Sequence, residues 1–211
     1  MSYRGRFVLS VCLVLITALM IVGCMSPAKE HLNTGDEYFE QGQYDEAIAE
    51  YTNAIELDPS WAELYYSRGN VYFERGQFQS AIANYDKAIV LAPSFVMAYN
   101  NRGEAYAGQY KFDRAIADYD KAIDLDPKLA VAYDNRGLMY INKDEYDKAI
   151  ADCTMAIELD PELAIAYFNR AYAYYRKGGE LDKIRNDLEK CIEVSTDPNL
   201  TKAAKDLLVR L

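Results

Sequence analysis

The residues able to do chemistry are few. One histidine, His31, has no second imidazole to work with. Cys153 and Cys191 stand far apart, and no metal-ligand spacing, phosphate-cradling loop or nucleophile–base pair accompanies them. The 19 tyrosines suggest phenol chemistry only until their spacing is seen, because most recur on a fixed lattice and read as packing. No catalytic residue, metal ligand or cofactor is therefore assigned, and the chain is read as not an enzyme. What remains is a row of polar side chains at one interval: Asn33, Ser67, Asn101, Asn135 and Asn169. Each asparagine carries donors and an acceptor together. It can pair with the N–H and C=O of an extended peptide whatever that peptide's side chains.

The interval is 34 residues, and it governs the chain from about residue 28 to residue 200. Tyr38, Tyr72, Tyr106, Tyr140 and Tyr174 share it, as do Arg68, Arg102, Arg136 and Arg170. Ala47, Ala81, Ala115 and Ala149 repeat likewise, and Pro59, Pro93, Pro127 and Pro161 end successive units, with Pro198 displaced by three. Such a period marks an array of supersecondary units. The units are 28–61, 62–95, 96–129, 130–163 and 164–197, and a segment 198–211 follows.

Each unit reads as two helices. Tyr65, Arg68 and Tyr72 recur three and four apart and share one face; Ala81, Ile82, Tyr85, Ala88 and Ile89 make a second stripe. Gly42 and Gly76 close the first helices in the left-handed conformation that glycine takes without steric cost. Asp58-Pro59, Asp126-Pro127 and Asp160-Pro161 are read as a proline in the next helix's first turn with an aspartate cap. Leu200, Ala203, Leu207 and Leu208 give 198–211 the pattern of an amphipathic capping helix, which such arrays need at an exposed end.

The pattern resembles the tetratricopeptide repeat. In the second unit, Tyr65, Gly69, Tyr72, Ala81, Tyr85, Ala88 and Pro93 fill the family's positions 4, 8, 11, 20, 24, 27 and 32. The fifth unit departs, with Ala171, Ile184, Leu188 and Cys191 in place of Gly, Ala, aromatic and Ala, and an inserted residue at Gly178-Gly179. The resemblance implies an all-α, right-handed superhelical solenoid of antiparallel helix pairs. It also implies that the first helices line a concave face, with positions 2, 5, 6, 9, 12 and 13 turned into it.

The amide row falls at position 6 of that face, and Asn70, Tyr66, Phe73, Phe168, Tyr172 and Tyr175 stand beside it to accept apolar side chains. Peptide binding is one reading of the row; a tolerated surface residue is the other. On the first, replacing Asn101, Asn135 and Asn169 by Ala abolishes partner capture without changing melting. A carboxylate clamp for chaperone tails is disfavoured, because Tyr66, Val131 and Asn135 stand where cations are required. His31 reads as a hairpin-packing residue. Cys153 and Cys191 read as buried thiols, with a bridge open in an oxidising compartment.

The first 23 residues differ from the rest. Arg4 and Arg6 precede a nearly unbroken apolar run from Phe7 to Val22. Those 16 residues reach about 24 Å as a helix, short of a ~30 Å hydrocarbon core. This is the pattern of a secretory signal. Ile21-Val22-Gly23-Cys24 resembles the bacterial lipobox, which implies removal of 1–23, a lipid on Cys24 and a short linker over 24–27; an uncleaved single-span anchor is the alternative. Met25 stands where an Asp would retain the protein at an inner membrane, but the choice of membrane stays open. From position 24 on, 33 Asp+Glu oppose 21 Lys+Arg, which excludes nucleic acid as a partner. The expectation is a lipid-anchored adaptor in the bacterial cell envelope that binds protein or peptide segments and no small-molecule substrate. A self-associating structural component is the alternative.

Overall fold

The computed structural model describes residues 26–211. The expected leader over 1–23 and Cys24 lie outside the described residues. Within them every regular element is helical. The helices are α1 (Pro27–Glu40), α2 (Tyr44–Leu57), α3 (Ala62–Glu74), α4 (Phe78–Leu91), α5 (Val96–Gly108), α6 (Phe112–Leu125), α7 (Ala130–Asn142), α8 (Tyr146–Leu159), α9 (Ala164–Lys177), α10 (Leu181–Val194) and α11 (Pro198–Leu208). None of these helices is long and apolar enough to cross a membrane. The chain divides into two compact units, one ending at Ser60 and one spanning Trp61–Leu211.

The first unit holds a single hairpin, α1 against α2. Ser26 caps α1, its Oγ accepting from the Lys29 N–H at 3.3 Å, and Pro27 occupies the first turn, where a missing N–H leaves no bond unmade. Leu32, Ala47, Tyr51 and Ala54 are buried, and the Tyr51 hydroxyl donates to Asp36 at 2.7 Å. His31 joins the two helices through Glu50, Nδ1 to Oε2, at 2.5 Å. It serves the hairpin, as its isolation in the sequence implied.

The second unit stacks four hairpins, α3–α4, α5–α6, α7–α8 and α9–α10, and ends on α11. Each hairpin turns at one repeat position. Gly76 there has φ +68° and Gly178 φ +74°, as does Gly42 (+72°) in the first unit. Tyr110 (φ 60°) and Asp144 (φ 58°) hold the same left-handed backbone without being glycine. A side chain in that region costs about 1–2 kcal/mol. The turn geometry is therefore imposed by the packed helices on either side, not chosen by the local residue.

Helix starts differ from the sequence reading. Asp126 and Asp160 follow the last residues of their hairpins' second helices as C-caps, and do not cap the next helices. Their carboxylates accept from the N–H of Lys128 (3.0 Å) and Glu162 (3.1 Å), folding a turn over the intervening proline. Asp58 does the same with Ser60 at 3.1 Å. The following helices begin at Ala130 and Ala164 without a side-chain cap. The proline thus sits in the connection: its ring ends the preceding helix, and the aspartate satisfies the turn's donors.

The core of the second unit is built of small residues facing large ones. Ala81, Tyr85, Ala88, Ala115, Tyr119 and Ala122 are all buried at 0–1% exposure. In the last hairpin Ile184, Leu188 and Cys191 take those positions and pack with Tyr167 and Ala171 against Ala204 and Leu207 of α11. Helix α11 has its own start signals: Asp197 accepts from the Asn199 N–H at 2.8 Å, and Pro198 fills the first position. Cys153 and Cys191 are both buried and unbridged.

Candidate functional site

The face to examine is formed by the first helices of the hairpins in the second unit, α3, α5, α7 and α9. Consecutive members of this set touch. The amide row crosses the seams between them. Asn101 Nδ2 donates to Tyr66 Oη (3.0 Å) and Asn70 Oδ1 (3.1 Å) on the preceding first helix. Asn135 Nδ2 donates to Asn100 Oδ1 (3.2 Å) and Glu104 Oε1 (2.9 Å). Asn169 Nδ2 lies 3.0 and 3.1 Å from the two carboxylate oxygens of Asp134. At each seam the position-6 amide of one hairpin reaches the position-5 side chain of the hairpin before it, and at the first two seams also the position-9 side chain.

The amides therefore staple hairpin to hairpin. Asn169 is only 4% exposed. Asn101 and Asn135 are half-buried, and their donors are already engaged. Removing them would break bonds that hold neighbouring first helices, so unchanged melting of an alanine variant is not the outcome this geometry supports. Ser67 is half-buried on α3. Asn33 belongs to α1 of the first unit and is also half-buried.

The flanking residues are equally committed to packing. Tyr66 lies 4.8 Å from the Phe95 ring centroid, and Asn70 accepts the Tyr85 hydroxyl at 2.8 Å. Phe73 meets Phe78 at 5.6 Å. Phe168 and Tyr172 stack at 6.4 Å with their planes 9° apart. They occupy positions 5 and 9 of the last hairpin, where no later asparagine arrives. Helix α11 covers them only in part. A depression of about 240 Å³ remains, lined by Phe168, Tyr172, Ala203, Asp206, Leu207 and Arg210. A larger one, about 480 Å³, lies between the tips of two neighbouring hairpins, around Tyr110, Phe112 and Lys143.

Sequence reasoning found only part of what the same face leaves open: it named Tyr175 but missed Met97, Leu138 and Ile165. Met97 (37%), Leu138 (38%), Ile165 (37%) and Tyr175 (39%) are exposed large apolar residues at positions 2, 9, 2 and 12. Met97 and Ile165 lie 68 residues apart, twice the period, with half-buried Val131 midway. That regularity was available as a signal.

Electrostatics on this face come from burial. The Glu104 carboxyl is raised above its usual range by burial, against the donors of Asn100 and Asn135, and the nearby Glu74 charge raises it further. Burial pushes Asp134 up to about 6, although hydrogen bonds from Asn169 and Cys153 pull the other way. The Cys153 thiol, whose Sγ lies 3.8 Å from Asp134, is pushed well up by burial and by the Asp134 charge. A thiol so held is a poor nucleophile. Among the described residues no group of three or more His, Cys, Asp and Glu could hold a metal ion.

On the other side of each first helix runs an arginine network. Arg102 grips Asp118 through Nε (2.8 Å) and Nη2 (2.6 Å) and reaches back to Asp86 of the previous hairpin (2.6 Å). Arg136 repeats this with Asp152 and Asp120, and Arg170 with Asp187 and the Thr154 hydroxyl. Two-pronged pairing fixes the hairpin's crossing geometry, because both prongs must align. These residues position the face without forming part of it.

Models of the tetratricopeptide repeat match residues 35–74, 69–109 and 137–178, and further ones match 96–129, 118–151 and 164–198. Comparison with curated proteins gives no match. Among solved structures the chain is similar to MamA, at 29% identity over 80% of this chain and 91% of that one, TM-score 0.69. It is similar to YrrB, described as a TPR protein with an unusual peptide-binding site, at 25% identity over 85% and 92%, TM-score 0.65. It is also similar to the first TPR of Spaghetti (RPAP3) bound to an HSP90 peptide, at 31% identity over 55% and 92%, TM-score 0.54. With the hairpin stack, the 34-residue lattice and these matches in agreement, the chain belongs to the tetratricopeptide repeat family, whose fold is a protein-interaction scaffold.

Proposed function

We propose that this protein is a lipid-anchored adaptor of the bacterial cell envelope that captures peptide segments of partner proteins on the first-helix face of its second unit. The observation that carries the reading is the exposed apolar set Met97, Leu138, Ile165 and Tyr175 on a face whose hairpin seams are closed by hydrogen bonds. Apolar side chains gathered on one face mark a place where another molecule excludes water. The peptide-bound and peptide-binding relatives support the same use of the fold. The half-buried Asn101 and Asn135 contribute by their carbonyl oxygens, which accept a peptide N–H while the amide nitrogens keep the seam closed. Asn101 Oδ1 uses its second lone pair, since it already accepts from Asn100 Nδ2 at 3.2 Å.

Export and anchoring rest on the leader and on the lipobox-like Ile21-Val22-Gly23-Cys24. Affinity on such a face is modest. Association costs several kcal/mol, and a few hydrogen bonds with two or three apolar contacts leave about −8 kcal/mol, a micromolar complex. A membrane tether raises the local concentration of partners held on the same surface, so weak contacts suffice.

The test is photocrosslinking in cells from a reporter residue beside Leu138, comparing the native chain with Leu138→Ser/Ile165→Ser. Both side chains are more than a third exposed, so the fold tolerates the change. Capture of partner proteins is expected to fall about tenfold in the variant while the melting temperature stays within a few degrees. Equal capture by the two proteins would remove the first-helix face from the reading.

A further inference from the structure

The first-helix face is not uniform along its length. At its α3–α5 end it carries Glu63 and Glu74, both exposed, and half-buried Glu104. Glu63 and Glu74 share α3's open side with Ser67 and Asn70 by helical spacing. Glu74 also acts electrostatically on Glu104 across the seam. At its α7–α9 end the face carries Leu138, Ile165 and Tyr175, then the stacked pair Phe168–Tyr172 with its depression against α11. Arg176 is the single cation among the face positions described in the second unit, and it is bonded to Tyr172 Oη (3.2 Å) and Asp144 (3.0 Å). Three carboxylates thus lie at one end without a cation on their own face, and apolar surface lies at the other.

We infer that the face takes a segment of a partner protein that is polarised along its length, with Lys or Arg residues seated against Glu63, Glu74 and Glu104 and a large apolar side chain seated on Phe168 and Tyr172. This deepens the peptide-capture reading and depends on it. The exposed Glu63 and Glu74 and the half-buried Glu104 make this end of the face anionic, and a bound cation offsets that charge. An acidic segment would add to it and be rejected, and such unfavourable juxtaposition sets specificity as strongly as attraction does. The depression of about 240 Å³ supplies the other constraint. Phe168, Tyr172, Ala203 and Leu207 line it beside Asp206 and Arg210, and it is roomy enough for one leucine or aromatic side chain. The charged and apolar ends also fix the direction in which a segment lies, which a row of equivalent amides cannot do.

The full chain, immobilised on a sensor surface, is to be compared against three peptides of equal length. One joins a lysine-rich half to a half rich in Leu and Phe; the second replaces its lysines by glutamate; the third keeps the lysines and replaces its apolar residues by serine. The first is expected to bind about tenfold more tightly than either of the others, with a preference over the acidic peptide that shrinks as salt is raised. Glu63→Lys/Glu74→Lys, at exposed positions that leave the fold intact, is expected to invert the order of the first two peptides. Equal binding of the cationic and acidic apolar peptides, both lost in Leu138→Ser/Ile165→Ser, would overturn the polarity and leave peptide capture standing. Binding of no peptide, or binding indifferent to Leu138 and Ile165, would overturn both.

Discussion

Asp134 stands where Asn100 stands one hairpin earlier, and each receives the same bond from the next hairpin's asparagine. The difference is a charge in a site 4% exposed. An ordinary aspartate titrates near 3.8; here burial moves the carboxyl up to about 6. A native state that holds a proton more tightly than the unfolded chain gains stability as pH falls through the native pKa. Above about pH 6 the ionised form carries the full penalty, on the order of 2–3 kcal/mol, and by pH 4 most of it is gone. Asp134→Asn copies the pairing already used at Asn100–Asn135. We therefore expect it to raise the melting temperature at pH 8, to change it little near pH 4, and to flatten the stability profile between them. Some slope remains, because Glu104 and Asp118 are also raised by burial. Thermal melts at those pH values decide the matter. A destabilised variant at pH 8 would mean that the charge is what Asn169 requires. None of this could be read from the sequence. The asparagine row was plain in the spacing, but whether an amide faces solvent or a neighbouring helix depends on the offset between hairpins, which no single unit encodes.

At the scale of the element, glycine at repeat position 8 and tyrosine at position 24 are one decision. A Cβ on Gly103 would lie 2.6 Å from the Tyr119 ring, so the ring occupies the space a methyl needs. In the fourth hairpin Gly137 faces the smaller Cys153, and in the fifth Ala171 packs with Leu188. The fifth unit's departures are thus a coordinated exchange of a large ring for a smaller side chain, and Ile184 and Cys191 fill what Ala and Ala leave elsewhere. Gly103→Ala is expected to destabilise by about 1–3 kcal/mol through overpacking. Tyr119→Leu alone should cost about as much through the cavity it opens. Together they recreate the Ala171–Leu188 pairing, so the double variant should be more stable than the sum of the two predicts, by about 1 kcal/mol or more. Urea denaturation of the four proteins measures the coupling, and strict additivity would show that the two positions pack independently. The arginines were legible in the same way but were left without a role. Arg102 and Arg136 each have an aspartate 16 residues ahead and another 16 behind, and both sets recur with the period. The insertion after Gly178 lengthens the forward spacing of Arg170 to 17, and the ion pair survives it.

Over the whole molecule, the formal charge of −10 bears on how the array is held in place. An anionic membrane surface repels such a chain, and no described helix is long and apolar enough to cross a membrane. On the proposed anchoring, attachment would rest on the leader or on Cys24. The two are distinguishable because they leave different covalent products. Cleavage before Cys24 removes residues 1–23 and places acyl chains a few residues from Pro27, the start of α1. Each buried methylene contributes about 0.8 kcal/mol, so more than one chain holds the protein durably where a single one would exchange. In a bacterial host, the native chain is expected to sediment with membranes and to show a mass lacking the leader and carrying lipid. Cys24→Ala is expected to lose that product, appearing either as unprocessed chain or in the soluble fraction. If native and variant proteins both retain residues 1–23 and both stay with the membrane, the apolar run from Phe7 to Val22 is itself the anchor. The array would then hang from a short span instead of a lipid, and capture by the first-helix face would still be tethered, by a different chemical bond.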